Sequence, residues 1–152
     1  MTQTDILFVL NQTEQLAKKI LEISKNRDFP LSYDFAYNLD EALDDLENHP
    51  PGLVYITSMI ILPGSTNRIN EDYIKNTVPI LNQQALAPAS EIIYTARKDN
   101  LPVLVNLADP VIEYEFQKLG ASTLSNLTHS SQEQYQTIER LLKLNQQKLV
   151  PN

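Results

Sequence analysis

Continuous apolar runs of strand length alternate along the chain with segments whose apolar residues recur at helical spacing. The first run is Ile6–Leu10, and longer ones cover Leu53–Leu62 and Leu101–Leu107. Continuity, rather than strict alternation, is typical of strands that are covered on both faces of a sheet. These runs therefore predict three buried strands.

Two weaker segments complete a set of five strands. Residues 31–37 alternate Tyr33, Phe35 and Tyr37 with smaller or polar residues, which is typical of a half-covered edge strand. The segment Ser122–Leu127 predicts the last strand.

After each predicted strand, apolar residues recur at helical spacing. Asn11, Asn38 and Ser130 are each followed three residues later by glutamate, the spacing of a capping box. Pro88 and Asp109-Pro110 provide first-turn and capping signals for two more helices. Five helices are predicted, covering about residues 11–25, 38–49, 88–98, 109–120 and 130–150.

The alternation of strands and helices predicts one doubly wound α/β domain over residues 1–152, with a parallel sheet covered on both faces. Ligands of such sheets bind beyond the carboxyl ends of the strands. The positions to consider are therefore the strand tips Leu10-Asn11, Thr57-Ser58, Leu107-Ala108 and Asn126-Leu127.

Composition narrows the candidate chemistry. The 152 residues include no cysteine and three glycines, so disulfides, thiolate sites and glycine-rich phosphate loops are excluded. His49 and His129 lie far apart without metal-ligand spacing. We expect no metal site, no cofactor and a cytoplasmic location.

Charge is distributed unevenly. The net charge is -7, and residues 1–50 carry ten acidic and four basic residues. Without a basic stripe we expect no binding to nucleic acid, and no apolar run reaches the roughly 20 residues needed to span a membrane. The acidic group Asp40–Glu47 is best explained as a solvated helix face, with a divalent ion or a basic partner as the alternatives.

Several segments resemble the receiver domain of bacterial response regulators, in order and in local pattern. Pro51–Ile56 resembles the third strand and its preceding turn, Leu101–Val105 the fourth strand, and Lys118–Ala121 the end of the fourth helix. Pro63-Gly64 resembles a proline-glycine pair of the family, two residues later than the family spacing. The resemblance implies a flavodoxin-like sheet of order 2-1-3-4-5.

The resemblance also shows which chemistry is missing. The family's magnesium-binding acidic pair falls on Leu10 and Asn11, its phosphoacceptor aspartate on Thr57 and its hydroxyl on Leu107. Its lysine falls on Leu127, or on Asn126 with a one-residue deletion. The resemblance therefore implies a degenerate, phosphorylation-independent receiver without enzymatic activity.

Simple structural roles account for the polar residues at these tips. Asn11 is placed to cap a helix, because Glu14 stands at the capping-box position. Thr57 and Ser58 could supply a hydroxyl nucleophile, but the sequence places no histidine or lysine beside them as a base.

Residues 65–87 form an insertion relative to the receiver pattern. Tyr73, Ile74 and Leu81 give it apolar content, and it is predicted to be a helical lid that contributes to a binding surface. We expect a signalling module that binds a protein partner, with a homodimer through helix 4, strand 5 and helix 5. The test residues on that face are Tyr114, Lys118 and Leu124.

Two alternatives remain open. The chain could be a small enzyme or ligand-binding protein that uses a pocket under the insertion, because a fold alone does not fix function. It could also be the regulatory part of a larger protein, with its last helix leading into an output domain.

Overall fold

A computed structural model describes residues 4–10, 15–27, 30–57, 87–107, 109–125 and 128–149. The strands and helices follow one another in strict alternation. They are β1 Ile6–Val9, α1 Gln15–Lys25, β2 Tyr33–Ala36, α2 Leu39–Asn48, β3 Leu53–Ile56, α3 Ala87–Lys98, β4 Val103–Asn106, α4 Pro110–Lys118, β5 Ser122–Leu124 and α5 Ser131–Leu149.

The five strands form a parallel sheet of order β2-β1-β3-β4-β5, which confirms the predicted fold class. Ile6 pairs with both Tyr33 of β2 and Leu53 of β3, so β1 is central. As expected, β2 lies at one edge of the sheet, and β5 lies at the other.

Two apolar layers enclose the sheet, one on each face. On one face, α2, α3 and α4 pack against side chains such as Val9, Ile56 and Val105. On the other, α1 and α5 cover side chains such as Phe8 and Leu104. The alternation of side chains along each strand directs neighbours into opposite layers, which explains the continuous apolar runs.

Local capping explains where three helices begin. The Asn38 side chain accepts a hydrogen bond from the Glu41 N–H, and Asp109 accepts from the Val111 N–H, 2.9 Å away in both cases. At α5, Ser130 and Glu133 form a reciprocal capping box, with N–O distances of 3.0 and 3.2 Å. The predicted cap Asn11 lies outside the described residues.

Gly120 ends the turn after α4 in a conformation that other residues adopt with strain. Its φ is +102°, and an added Cβ would lie 3.0 Å from the Arg97 Nε. A glycine in this conformation is a common end of a helix, and Gly120 stands where the predicted helix over residues 109–120 ends.

The strands are shorter than the apolar runs that predicted them. Leu10 and Leu107, which follow β1 and β4, are buried, and their N–H groups still bond to Ala36 and Leu124 of the neighbouring strands. Burial therefore extends beyond the regular pairing. The described part of β3 ends at Ile56, and most of the predicted continuation to Leu62 lies outside the described residues.

A search of the described residues for a helix long and apolar enough to span a membrane found none. Almost the whole of the 65–87 insertion, including Tyr73, Ile74 and Leu81, lies outside the described residues.

Candidate functional site

The carboxyl ends of the central strands bring three of the predicted positions to the same edge of the sheet. Leu10 follows β1, Thr57 follows β3 and Leu107 follows β4. Leu10 and Leu107 are buried, whereas Thr57 is partly exposed. Asn11, Asn126 and Leu127 belong to the same predicted site but lie outside the described residues.

Thr57 is held by the neighbouring strand. Its backbone N–H and its hydroxyl both donate to the Val9 carbonyl oxygen, at 3.0 and 3.1 Å. A nucleophilic hydroxyl needs a base to remove its proton, and here the proton is directed at a backbone carbonyl. This geometry is that of a structural threonine at a strand end.

The described part of the site has little capacity to bind a cation. Magnesium prefers carboxylate and other oxygen ligands, and two of the three described tip residues are leucines. Among the described residues, no cluster of three or more histidine, aspartate or glutamate side chains is placed to hold a metal ion.

A buried polar network lies just inside this edge. The Tyr55 hydroxyl donates to the Gln134 Oε1, 2.8 Å away, and accepts from the Asn106 Nδ2 at 3.2 Å. The Gln134 Nε2 in turn donates to the His129 carbonyl at 3.2 Å. The network connects β3 and β4 to the start of α5.

Burial controls the ionisation of this tyrosine. Desolvation raises the pKa of Tyr55 well above its usual value, against the opposing effect of the hydrogen bond from Asn106. The phenol therefore remains neutral and donates its hydrogen bond to Gln134.

Sequence reasoning did not identify this network. Asn106 is the one strongly polar residue in the apolar run Leu101–Leu107, but the sequence does not distinguish Gln134 from the other polar residues of an amphipathic helix. The signal that could have found it is a polar side chain in a buried strand, which requires a partner elsewhere in the fold.

The face formed by α4, β5 and α5 contains two of the three predicted interaction residues on its surface. Tyr114 is 59% exposed, and the Lys118 Nζ lies over its ring, 4.5 Å from the centroid. Lys118 also bonds to Glu115. The structure thus brings Tyr114 and Lys118 together.

Leu124 was also predicted on this face, but the structure places it in the core. It is 4% exposed, because its side chain points toward the layer covered by α1 and α5. Its neighbour Thr123 points toward α4 instead, donating to the Glu113 carboxylate and accepting from the Gln117 amide, both at 2.8 Å. Thr123, rather than Leu124, is therefore the β5 residue that connects to α4.

Comparison with solved structures identifies the architecture as that of receiver domains. The CheY-like receiver domain protein of Methanospirillum hungatei superposes with a TM-score of 0.65 at 14% identity, covering 97% of this chain and 99% of that one. The NtrX receiver domain of Brucella abortus gives 0.59 at 21% identity, covering 91% and 98%. A Francisella response regulator receiver domain gives 0.61 at 16% identity, covering 91% and 97%.

No protein-family model and no curated protein match the sequence. The likeness is therefore one of fold. The chain has a five-stranded receiver fold, as the sequence resemblance implied.

Proposed function

We propose that this chain is a receiver-like regulatory module that acts without phosphorylation and without catalysis, by binding another protein. Receiver domains among the structural neighbours support a role in signalling. The identity of the partner does not follow from the fold.

The geometry around Thr57 is the observation that carries this proposal. Phosphoryl transfer to a side chain needs an activated nucleophile and a cation that balances the phosphoryl charge. Thr57 directs its hydroxyl proton to the Val9 carbonyl, while the ends of β1 and β4 present Leu10 and Leu107. These groups favour a scaffold over a reaction centre.

The face of α4, β5 and α5 is the surface that we propose for partner binding and for a homodimer. Val111 and Tyr114 are 58% and 59% exposed there, and Lys118 provides a charge beside them. An exposed aromatic ring beside a cation is a favourable contact for a partner surface. Hydrogen bonds among Glu113, Gln117 and Thr123 connect α4 to β5 on this face.

A magnesium titration tests whether the strand tips bind the cation that phosphoryl transfer requires. Backbone amide signals of Leu10, Thr57 and Leu107 should stay unchanged in nuclear magnetic resonance spectra as millimolar Mg²⁺ is added. A phosphorylatable receiver domain in the same buffer is the control, and its corresponding signals should shift. Saturable shifts at these three residues would show that a functional cation site exists, against the proposal.

A further inference from the structure

The outer edge of β2 offers backbone groups for hydrogen bonding. The pairing of β1 with β2 uses the carbonyls of Ser32 and Ala36, which accept from Ile6 and Leu10. In a parallel ladder, alternate residues point their backbone groups to opposite sides. The N–H and C=O groups of Tyr33 and Phe35 therefore face away from β1, and no strand among the described residues pairs with this edge.

An aromatic row runs along one face of this edge. Ring centroids of Tyr33 and Phe35 are 5.4 Å apart, and those of Phe35 and Tyr37 are 6.3 Å apart. Phe35 is anchored on the buried Phe8, at 5.8 Å, whereas Tyr33 and Tyr37 are 47% and 36% exposed. The row is therefore fixed in place while two of its rings remain accessible.

The opposite face of the same edge is acidic. Asp34 lies between the two aromatic residues in sequence, so its side chain points to the side of α2. Burial raises the pKa of Asp45 on α2, and the charge of Asp34 adds to the effect, together with those of Glu41 and Asp44. Each of these three carboxylates lies near enough to Asp45 to repel its charge, and the charge of His49 acts in the opposite direction.

Charge decides what kind of segment fits this edge. In an added strand, side chains would point alternately to the aromatic row and to the acidic face. Cationic side chains suit both surfaces, because they stack on tyrosine rings and pair with carboxylates. A second copy of the chain pairing through the same edge would place the two acidic faces side by side, which like charges oppose. The charge of -6 on residues 1–50 adds attraction for a basic partner at longer range.

We propose that the outer edge of β2 binds an extended basic segment of a partner protein as an added strand, with the Tyr33–Tyr37 row on one side and Asp34 and Asp45 on the other. The site lies at the opposite sheet edge from the face of α4, β5 and α5. It is therefore independent of the function proposed above, and either can fail alone.

A pair of synthetic peptides tests the occupant. One is a capped peptide of about eight alternating arginine and valine residues, and the other has glutamate in place of arginine. The basic peptide should shift the amide signals of Tyr33 and Phe35 in a saturable way, and the acidic one should not. Equal binding of both peptides, or of neither, would overturn the proposal.

An N-methylated form of the basic peptide tests the pairing mode. Methyl groups on all arginine and all valine amides block N–H donation along both edges of the extended peptide and leave its charge unchanged. The fully methylated form should lose binding. Retained affinity would mean that charge attraction occurs without strand pairing, which would overturn the proposal.

Two protein variants test the residues. Asp34→Asn combined with Asp45→Asn should weaken binding of the basic peptide by about tenfold, because both changes remove a negative charge that attracts the peptide. Both also keep the shape of the side chain. Asp99→Asn, an acidic residue just after α3, is the matched control and should leave the affinity unchanged. Equal losses in the two proteins would refute a localised site.

Shifts of the Tyr33 amide with protein concentration alone would identify a second copy as the occupant instead.

Discussion

At the scale of single residues, Tyr55 connects the sheet to α5 through its hydroxyl. Tyr55→Phe keeps the buried ring and removes the donor that bonds to the Gln134 Oε1. We expect the free energy of unfolding to fall by about 1–3 kcal/mol, the usual cost of leaving a buried polar group without its partner. Urea denaturation measures this change. Tyr33→Phe removes an exposed hydroxyl and should change stability by less than about 0.5 kcal/mol; a loss equal to that of Tyr55→Phe would contradict the role of the network.

The same residue predicts a response to alkaline pH. Burial raises the pKa of Tyr55 in the folded protein, so the unfolded chain releases this proton first as the pH rises above its usual value of 10.0. Folding stability is then lost progressively above that pH, and it is unaffected by this group below it. The stability difference between the wild type and Tyr55→Phe should therefore shrink between about pH 10 and pH 12. A constant difference across this range would mean that the phenol is not desolvated.

At the residue scale, the sequence predicted which strand tips meet at one edge of the sheet, but not the direction of every side chain. The likeness to receivers located Leu10, Thr57 and Leu107 near one another, and the fold places them at one edge. It placed Leu124 wrongly on the surface, because the direction of a side chain in a short edge strand depends on the register with β4. That register is a tertiary property that the weak pattern of β5 does not encode.

At the scale of elements, helix caps explain most of the observed helix starts. Asp109 accepts bonds from the N–H groups of Val111 and Ile112, and Pro110 occupies the first turn. Asp109→Ala should reduce the free energy of unfolding by about 0.5–2 kcal/mol, the usual range for a lost cap. Asp99→Ala is the control, because Asp99 lies just after the end of a helix, and the free energy of unfolding should change by no more than about 0.5 kcal/mol. Equal effects of the two changes in chemical denaturation would count against the cap.

The types and order of the described elements were predictable because each carries a local signal. Capping spacing at Asn38 and Ser130 and continuous apolar runs at β1 and β3 are properties of short segments. Strand ends were less predictable. Leu10 and Leu107 lie one residue past the ends of β1 and β4, yet they are buried and their N–H groups bond to the neighbouring strands, so hydrophobicity alone overestimates the length of a strand.

At the scale of the whole molecule, a parallel sheet with two covered faces leaves the two sheet edges and the outer helix surfaces for contacts. The proposed homodimer uses the face at the β5 edge. Sedimentation velocity should show a concentration-dependent dimer, and Tyr114→Ser combined with Lys118→Glu should weaken it by at least tenfold, since both side chains are exposed there. Tyr33→Ser at the opposite edge is the control. A monomer at every concentration tested would remove the homodimer from the account.

The receiver fold thus persists in a chain whose strand tips Leu10, Thr57 and Leu107 offer no carboxylate. Because packing of the two apolar layers stabilises the sheet, the fold does not require the reactive groups of a phosphorylated receiver.

Intact-mass analysis after incubation with acetyl phosphate and Mg²⁺ tests this claim most directly. A phosphorylatable receiver domain in the same reaction shows that the reagents are active, and Thr57→Asp tests whether a carboxylate alone restores the reaction. The account predicts an unchanged mass for the wild type and for Thr57→Asp, because the cation ligands would still be missing. A rapid, magnesium-dependent gain of one phosphoryl group by the wild-type protein would contradict it.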